Sequence, residues 1–311
     1  MSVTVYILNR NYASFLSRAI DSVLAQTHKD LEIILIDDFS TDNSREIIES
    51  YRNHKKIKII FNKENLGLIK SANIALKLSK KDYIVRLDSD DYFYNNAIKD
   101  LYEVAIKDKN IGLVYGNYNL IDTNNKILRR RIRLCLKDEV KIIGHPCHGA
   151  CTLFNVKALN EIGGYSEKFD RQDGVYAFYS ILIKGWKINN IKKVIFAYTQ
   201  HSKSLSRNKR ILYKSRSKIL NEIGNNSRKE IKSTLIISIA DIENLIISYK
   251  TKKNFFKYLN NELAYYGKKK FISNIVIIVN DKKLLDYLDG LNKVKMCEIS
   301  QDFDRLKLKN N

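Results

Sequence analysis

Acidic residues gather where the apolar runs of this chain stop. Asp37 and Asp38 follow the run from Leu31 to Ile36, and Asp88-Ser89-Asp90-Asp91 follows the run from Tyr83 to Leu87. Carboxylates crowded at one site repel each other unless a cation neutralises them. Asp oxygens suit a hard divalent ion, Mg2+ or Mn2+, which also takes phosphate oxygens and water. An Asp-x-Asp such as Asp88-Ser89-Asp90 lets one carboxylate reach the metal while the other reaches a sugar or ribose hydroxyl. The plainer use of Ser89 and Asp90 is to cap the helical pattern from Asn96 to Lys107, because short Asp-x-Asp sequences also occur in caps and turns. No Gly-rich dinucleotide fingerprint follows the first apolar run, and no phosphate-binding P-loop occurs anywhere. His145-Pro146-Cys147-His148-Gly149-Ala150-Cys151 holds two His and two Cys, but their spacing fits no common zinc pattern. It reads as a loop entering a core strand.

The elements that position these residues alternate. Val3 to Leu8 is a short β-branched run, and from Ser14 to Gln26 apolar residues recur at helical spacing. Leu31 to Ile36 is continuous and apolar, as in a strand covered on both faces. A helix from Asp42 to Tyr51, a strand from Ile57 to Phe61, a helix from Gly67 to Leu78 and a strand from Tyr83 to Leu87 continue the order. Gly112 to Tyr118 and Cys151 to Phe154 read as later strands, and Gln172 to Lys184 as a helix closed by Gly185. This order predicts an α/β fold with a mainly parallel, helix-covered sheet. Ligands of such sheets bind beyond the C-terminal ends of the strands, where the acidic residues lie.

Several stretches in register resemble family 2 glycosyltransferases with the GT-A fold. They are Val5-Tyr6-Ile7-Leu8-Asn9-Arg10-Asn11-Tyr12, Ala19 to Thr27, Ile34-Leu35-Ile36-Asp37-Asp38 to Asp42, and Asn65-Leu66-Gly67-Leu68 with Asn73. Arg86-Leu87-Asp88-Ser89-Asp90-Asp91, Gly163-Gly164-Tyr165, Gln172-Asp173 and His201 complete the set, so the resemblance spans roughly residues 2 to 207. It implies a GT-A type, Rossmann-like sheet over residues 1–207 and an enzyme that inverts the anomeric centre of a nucleotide-sugar donor. Carried over residue by residue, it assigns Leu8, Asn9, Asp38, Asn65, Arg86, Asp88 and Ser89 to the donor nucleotide. Asp38 faces the base, and Asp88 the ribose or diphosphate. Asp90 and His201 are assigned to a divalent metal, Mn2+ or Mg2+, and Asp173 to the catalytic base on the acceptor side. Many relatives carry Glu-Asp where this chain has Gln172-Asp173, so the base stands without a neighbouring carboxylate. The chemistry agrees with the residues: a hydroxyl nucleophile needs a carboxylate to take its proton, and a leaving diphosphate needs positive charge. The plainer reading of Asp173 is an N-cap of the helix that follows.

The 311 residues carry a net charge of +21. That charge suits nucleic acid, an anionic membrane face or simply a Lys- and Asn-rich composition. Seven basic and no acidic residues lie between Lys203 and Lys218, directly after His201, and Arg129-Arg130-Arg131-Ile132-Arg133 forms a second basic cluster. Enzymes of the resembled family often use lipid-linked acceptors. The expected partners are therefore a nucleotide-sugar, a glycan or lipid-linked acceptor and an anionic membrane surface, with no nucleic acid. No stretch approaches the ~18 apolar residues of a membrane span. The start Met1-Ser2-Val3 lacks a signal peptide's basic region, and Cys135, Cys147, Cys151 and Cys297 form no disulfide framework. These features predict a cytoplasmic protein, peripheral on the inner membrane face. Residues 208–311 carry no motif. Helical patterns at Ser227–Tyr249 and Lys252–Tyr266, a strand at Asn274–Asn280 and a short helix at Asp281–Leu288 predict a mostly helical appendage. Two other functions suit such a chain: a polyanion-binding protein on a degenerate transferase scaffold, and a nucleotidyltransferase. The second lacks its glycine-rich start, since Asn9-Arg10-Asn11-Tyr12 contains no glycine.

Overall fold

The computed structural model describes residues 3–131, 148–202 and 204, the single positions 215, 218, 219 and 222, and the backbone of 233–239, 272–279 and 294–298. The chain divides into two compact units, Met1–Cys135 with Cys147–Ile223, and Leu136–Pro146 with Gly224–Asn311.

The first unit opens with four parallel strands, β1 (Val3–Asn9), β2 (Leu31–Asp37), β3 (Ile57–Phe61) and β4 (Tyr83–Asp88). Every residue of β1 is buried, which is why its β-branched run shows no polar alternation. Between the strands run α1 (Ala13–Leu24), α2 (Ser44–Ser50) and α3 (Leu68–Leu78). Helix α1 buries Leu16, Ala19, Ile20 and Val23, one stripe at helical spacing. Each large apolar side chain fully buried there contributes about 1.5–3 kcal/mol. Register then does the positioning: Asn9 lies beside Asp37, and Leu8 beside Asp88. The polar ends of three strands therefore share one edge of the sheet.

The second half of the sheet is mixed. It contains β5 (Tyr92–Phe93), β6 (Ile111–Ile121), β7 (Ile127–Arg131), β8 (Thr152–Asn155) and β9 (Lys187–Thr199), with helices α4 (Ala97–Ala105), α5 (Val156–Glu161) and α6 (Asp173–Ile183). The order is β3-β2-β1-β4-β8-β6-β9-β5, with β7 paired to β6. Strand β8 runs antiparallel between β4 and β6, and β9 returns parallel to β6. Among the described residues, no helix is long and apolar enough to cross a membrane.

The described part of the second unit is a parallel sheet of β10 (Ser233–Ile239), β11 (Ile272–Val279) and β12 (Val294–Glu298), in the order β10-β11-β12. Strand β11 meets the expectation for Asn274–Asn280. Strand β10 corrects the helix expected over Ser227–Tyr249: Leu235-Ile236-Ile237-Ser238-Ile239 is a short apolar run, which periodicity alone cannot divide between strand and helix. The helices expected at 252–266 and 281–288 lie outside the described residues, as does most of the basic run from 203 to 218.

Candidate active site

The loops after β1 and β2 are stitched together by side chains. Asp37 Oδ1 accepts from Asn9 Nδ2 (2.9 Å) and Ser40 Oγ (2.5 Å), and its Oδ2 accepts from the Ser40 amide (3.0 Å). Asn11 Oδ1 in turn accepts from the Thr41 amide at 2.7 Å. Asp37 is thus a turn anchor. Asp38 faces the other way, accepting at 2.8 Å from the amides of Leu66 and Gly67 and from Asn62 Nδ2. It fastens the loop that carries exposed Asn65 ahead of α3. A carboxylate offers about four acceptor sites, so three donors leave room for one more. Leu8, Asn9 and Ser89 are all buried at this edge, and Asn9 Oδ1 has no hydrogen-bond partner among the described residues.

Arg86 joins two carboxylates that are distant in sequence. Its Nη1 donates to Asp173 Oδ2 at 2.5 Å, and its Nε lies 2.8 Å from Asp88 Oδ1 as an ion pair. Burial by itself would lower the Arg86 pKa, but Asp173 and Asp88 outweigh it and hold the guanidinium charged. Asp88 is pushed up to about 6, chiefly by burial, with Arg86 opposing and Asp90 and Asp173 adding to the rise. The guanidinium thus bridges Asp173 and Asp88. The cap reading of Asp173 does not describe the structure: Gln172 occupies the N-cap in a left-handed conformation, and the Asp173 side chain goes to Arg86. Ser89 and Asp90 likewise do not cap α4, whose N-cap is Asn96.

Two glycines set the place of Asp173. A Cβ on Gly149 would overlap the Asp173 carboxylate, and one on Gly174 would overlap the Gly149 backbone. The start of α6 therefore meets the 148–150 loop backbone to backbone. Gly149→Ala is expected to push Asp173 off Arg86 and to lower stability by about 1–3 kcal/mol, the usual cost of overpacking. Thermal unfolding against wild type checks this, and an unchanged midpoint would show that the loop yields freely.

Asp90 and His201 meet across 111 positions of sequence, with Nε2 2.9 Å from Asp90 Oδ2. His201 stacks on Phe15 at 5.1 Å and meets Tyr12 edge-on at 5.5 Å, so the start of α1 orients the imidazole. Burial first, then Asp90, Asp88 and Asp91, push the Tyr12 phenol up to about 12. Arg18 from α1 donates to the Asp90 carbonyl (2.7 Å) and to Thr199 Oγ1 (2.9 Å), tying the acidic turn to the end of β9. Asp91 is buried and accepts from the Thr199 amide at 2.8 Å, while its Oδ2 has no partner among the described residues. Burial, then Asp90 and Asp88, raise its pKa well above the usual carboxylate range.

Among the described residues no group of three or more His, Cys, Asp and Glu side chains could hold a metal alone. The Asp90–His201 pair is instead a two-donor set, which fits a divalent ion that completes its shell with substrate phosphates and water. The zinc reading of 145–151 finds no support in the described part, where Cys151 is buried and free and His148 packs among aromatic rings. Residues 145 to 147 lie outside it. Sequence reasoning missed Arg18, which no periodicity marks. It also missed the glycine pair, although a glycine directly after Asp173 at a helix start was a readable hint of close backbone approach.

Residues 2–163 match the profile of Glycosyl transferase family 2. Over 205 residues the chain is 27% identical to a chondroitin synthase of Pasteurella multocida, covering 66% of this chain and 21% of that protein. Over 130 residues it is 38% identical to an uncharacterised glycosyltransferase of Nostoc sp., covering 41% of this chain and 40% of that protein. The chain thus spans from 21% to 40% of the length of these relatives. Staphylococcus aureus TarS 1-349 in complex with UDP-GlcNAc has a TM-score of 0.60 at 17% identity, covering 74% of this chain and 68% of that one. The mannosyltransferase PcManGT from Pyrobaculum calidifontis, in complex with GDP-Man and Mn2+, has a TM-score of 0.59 at 16% identity, covering 73% and 65%. These structural likenesses establish the fold.

Proposed function

Because the chain belongs to glycosyl transferase family 2, we propose that it moves a sugar from a nucleotide-diphosphate donor, by default a UDP-sugar, onto a hydroxyl of a glycan or lipid-linked acceptor with inversion. The observation that carries this reading is the pairing of two carboxylate sites at one sheet edge: Asp90 with His201, and Asp173 bridged through Arg86 to Asp88. Asn9, Asp38, Asn65, Asp88 and Ser89, with the backbone at Leu8, form the donor side. Asp90 and His201 would hold a divalent metal, Mn2+ or Mg2+, which when bound neutralises the charge that develops on the departing diphosphate. Asp173 takes the proton of the attacking hydroxyl as the new C–O bond forms and the bond to the diphosphate breaks. A base and a leaving group on opposite sides of the anomeric carbon produce inversion. The run from Lys203 to Lys218, beginning just after His201, is proposed to hold the enzyme on an anionic membrane face.

Thermal unfolding with UDP-, GDP-, CMP- and dTDP-sugars tests the donor assignment. One nucleotide class should raise the midpoint by several degrees only when Mn2+ is present, since a ligand at about a hundred times its Kd adds roughly 2.7 kcal/mol. The rise should persist at moderate salt. Equal small shifts with every nucleotide, removed by salt and indifferent to Mn2+, would instead identify a general polyanion binder.

A further inference from the structure

Next to Asp173 lies an aromatic cluster that the proposed reaction does not use. Tyr118 of β6 stacks on Phe196 of β9 at 5.0 Å and meets His148 edge-on at 5.1 Å. Tyr198 packs 5.9 Å from Tyr118 and 5.5 Å from His148. Phe196 is buried, whereas Tyr118, Tyr198 and His148 are only half-buried. Two of its members are sequence neighbours of residues that touch the acids. His148 precedes Gly149, which lies against the Asp173 carboxylate. Tyr198 precedes Thr199, whose amide holds Asp91.

Positive charge borders this cluster. In the β6–β7 ladder Arg131 pairs with Tyr118 and Arg129 with Leu120, and β9 places Phe196 and Tyr198 beside those same two β6 residues. Directly opposed residues of an antiparallel pair project from the same face with Cβ atoms about 4.5–5.5 Å apart. Arg129 and Arg131 therefore flank the rings. No acidic residue occurs in the sequence from Lys126 to Leu134. Aromatic faces suit the apolar face of a sugar ring, and a guanidinium suits a carboxylate or phosphate bidentately.

We propose that Tyr118, Tyr198 and His148, with Arg129 and Arg131, form an acceptor subsite for an anionic sugar, one bearing a carboxylate or a phosphate. This rests on the transferase reading only in calling the bound sugar an acceptor. The binding itself is measured without donor. The probes are p-nitrophenyl β-glucoside, its β-glucuronide and its 6-phosphate, titrated into the full chain at physiological salt and followed by NMR line broadening. Both anionic probes, or one of them, should bind about tenfold tighter than the glucoside, the scale of a charge-assisted contact. The tighter of the two identifies the anion.

In the Arg129→Gln/Arg131→Gln double variant that preference should collapse to within about twofold. In Tyr198→Leu all three probes should weaken together while the preference survives. Both changes lie on partly exposed positions, and an unaltered melting midpoint confirms the fold. Equal binding of all three probes by wild type, no binding of either anion, or a preference retained in the double variant would overturn the subsite. So would a double variant that keeps the preference and loses only its binding to vesicles of anionic lipid, which would assign the arginines to a membrane. A failed donor panel with preserved anion preference would remove the transferase reading and leave the sugar site standing.

Discussion

Asp90→Ala is expected to reduce sugar transfer by ~10³-fold or more and to remove the Mn2+ dependence of donor binding. The side chain supplies one of two protein donors proposed for the metal, and His201 alone is a poor site for a hard cation. The fold should survive, because Arg18 is held by the Asp90 backbone carbonyl and not by its carboxylate. Removing one acid from a turn that also carries Asp88 and Asp91 relieves repulsion there as well. Donor titration with and without Mn2+, beside turnover and a melting curve, checks each part. Undiminished Mn2+-dependent activity in this variant would sink the metal assignment.

Asp173→Asn should lower transfer by ~10²-fold or more, the typical contribution of a general base, while donor affinity stays close to wild type. The amide keeps an oxygen for Arg86 but cannot take a proton. It also removes one of the two charges facing a buried guanidinium, so a stability loss of up to about 3–5 kcal/mol is expected, with Asp88 limiting it. Single-turnover rates on folded protein separate the two effects. A collapse of donor affinity with turnover largely preserved would move Asp173 to the donor side or the scaffold.

The parallel half of the sheet was legible because its strands are buried on both faces and end in polar residues. The runs at Val3, Leu31, Ile57 and Tyr83 all became strands. Strand β9 was not read, since Asn189, Asn190, Lys192 and Lys193 interrupt its apolar residues. Asn190 is buried all the same, so tertiary pairing overrode local pattern. The acids could be seen as candidates from their positions at strand ends. Spacing along the chain carries no signal across 111 and 87 residues, so that Asp90 meets His201 was implied only by the family resemblance, and that Arg86 reaches Asp173 was not read at all. The family resemblance supplied the names of those residues, and the structure supplied their contacts. Arg86 shows the difference: the resemblance assigned it to the donor nucleotide, and the structure adds that its buried guanidinium bridges two acids.

The meeting of Gly149 with Gly174 bears on how such an enzyme diversifies. Where a key group is steadied by neighbouring side chains, each change of neighbour risks displacing it. Beside the Arg86 ion pair, the surface that packs against Asp173 is main chain, which every substitution outside the two glycines leaves chemically the same. Variation at His148 and elsewhere along that loop can therefore retune which acceptor is received while the carboxylate at the head of α6 keeps its address. Descendants of this scaffold should differ freely in the rings and charges around the acceptor and hold the two glycines fixed.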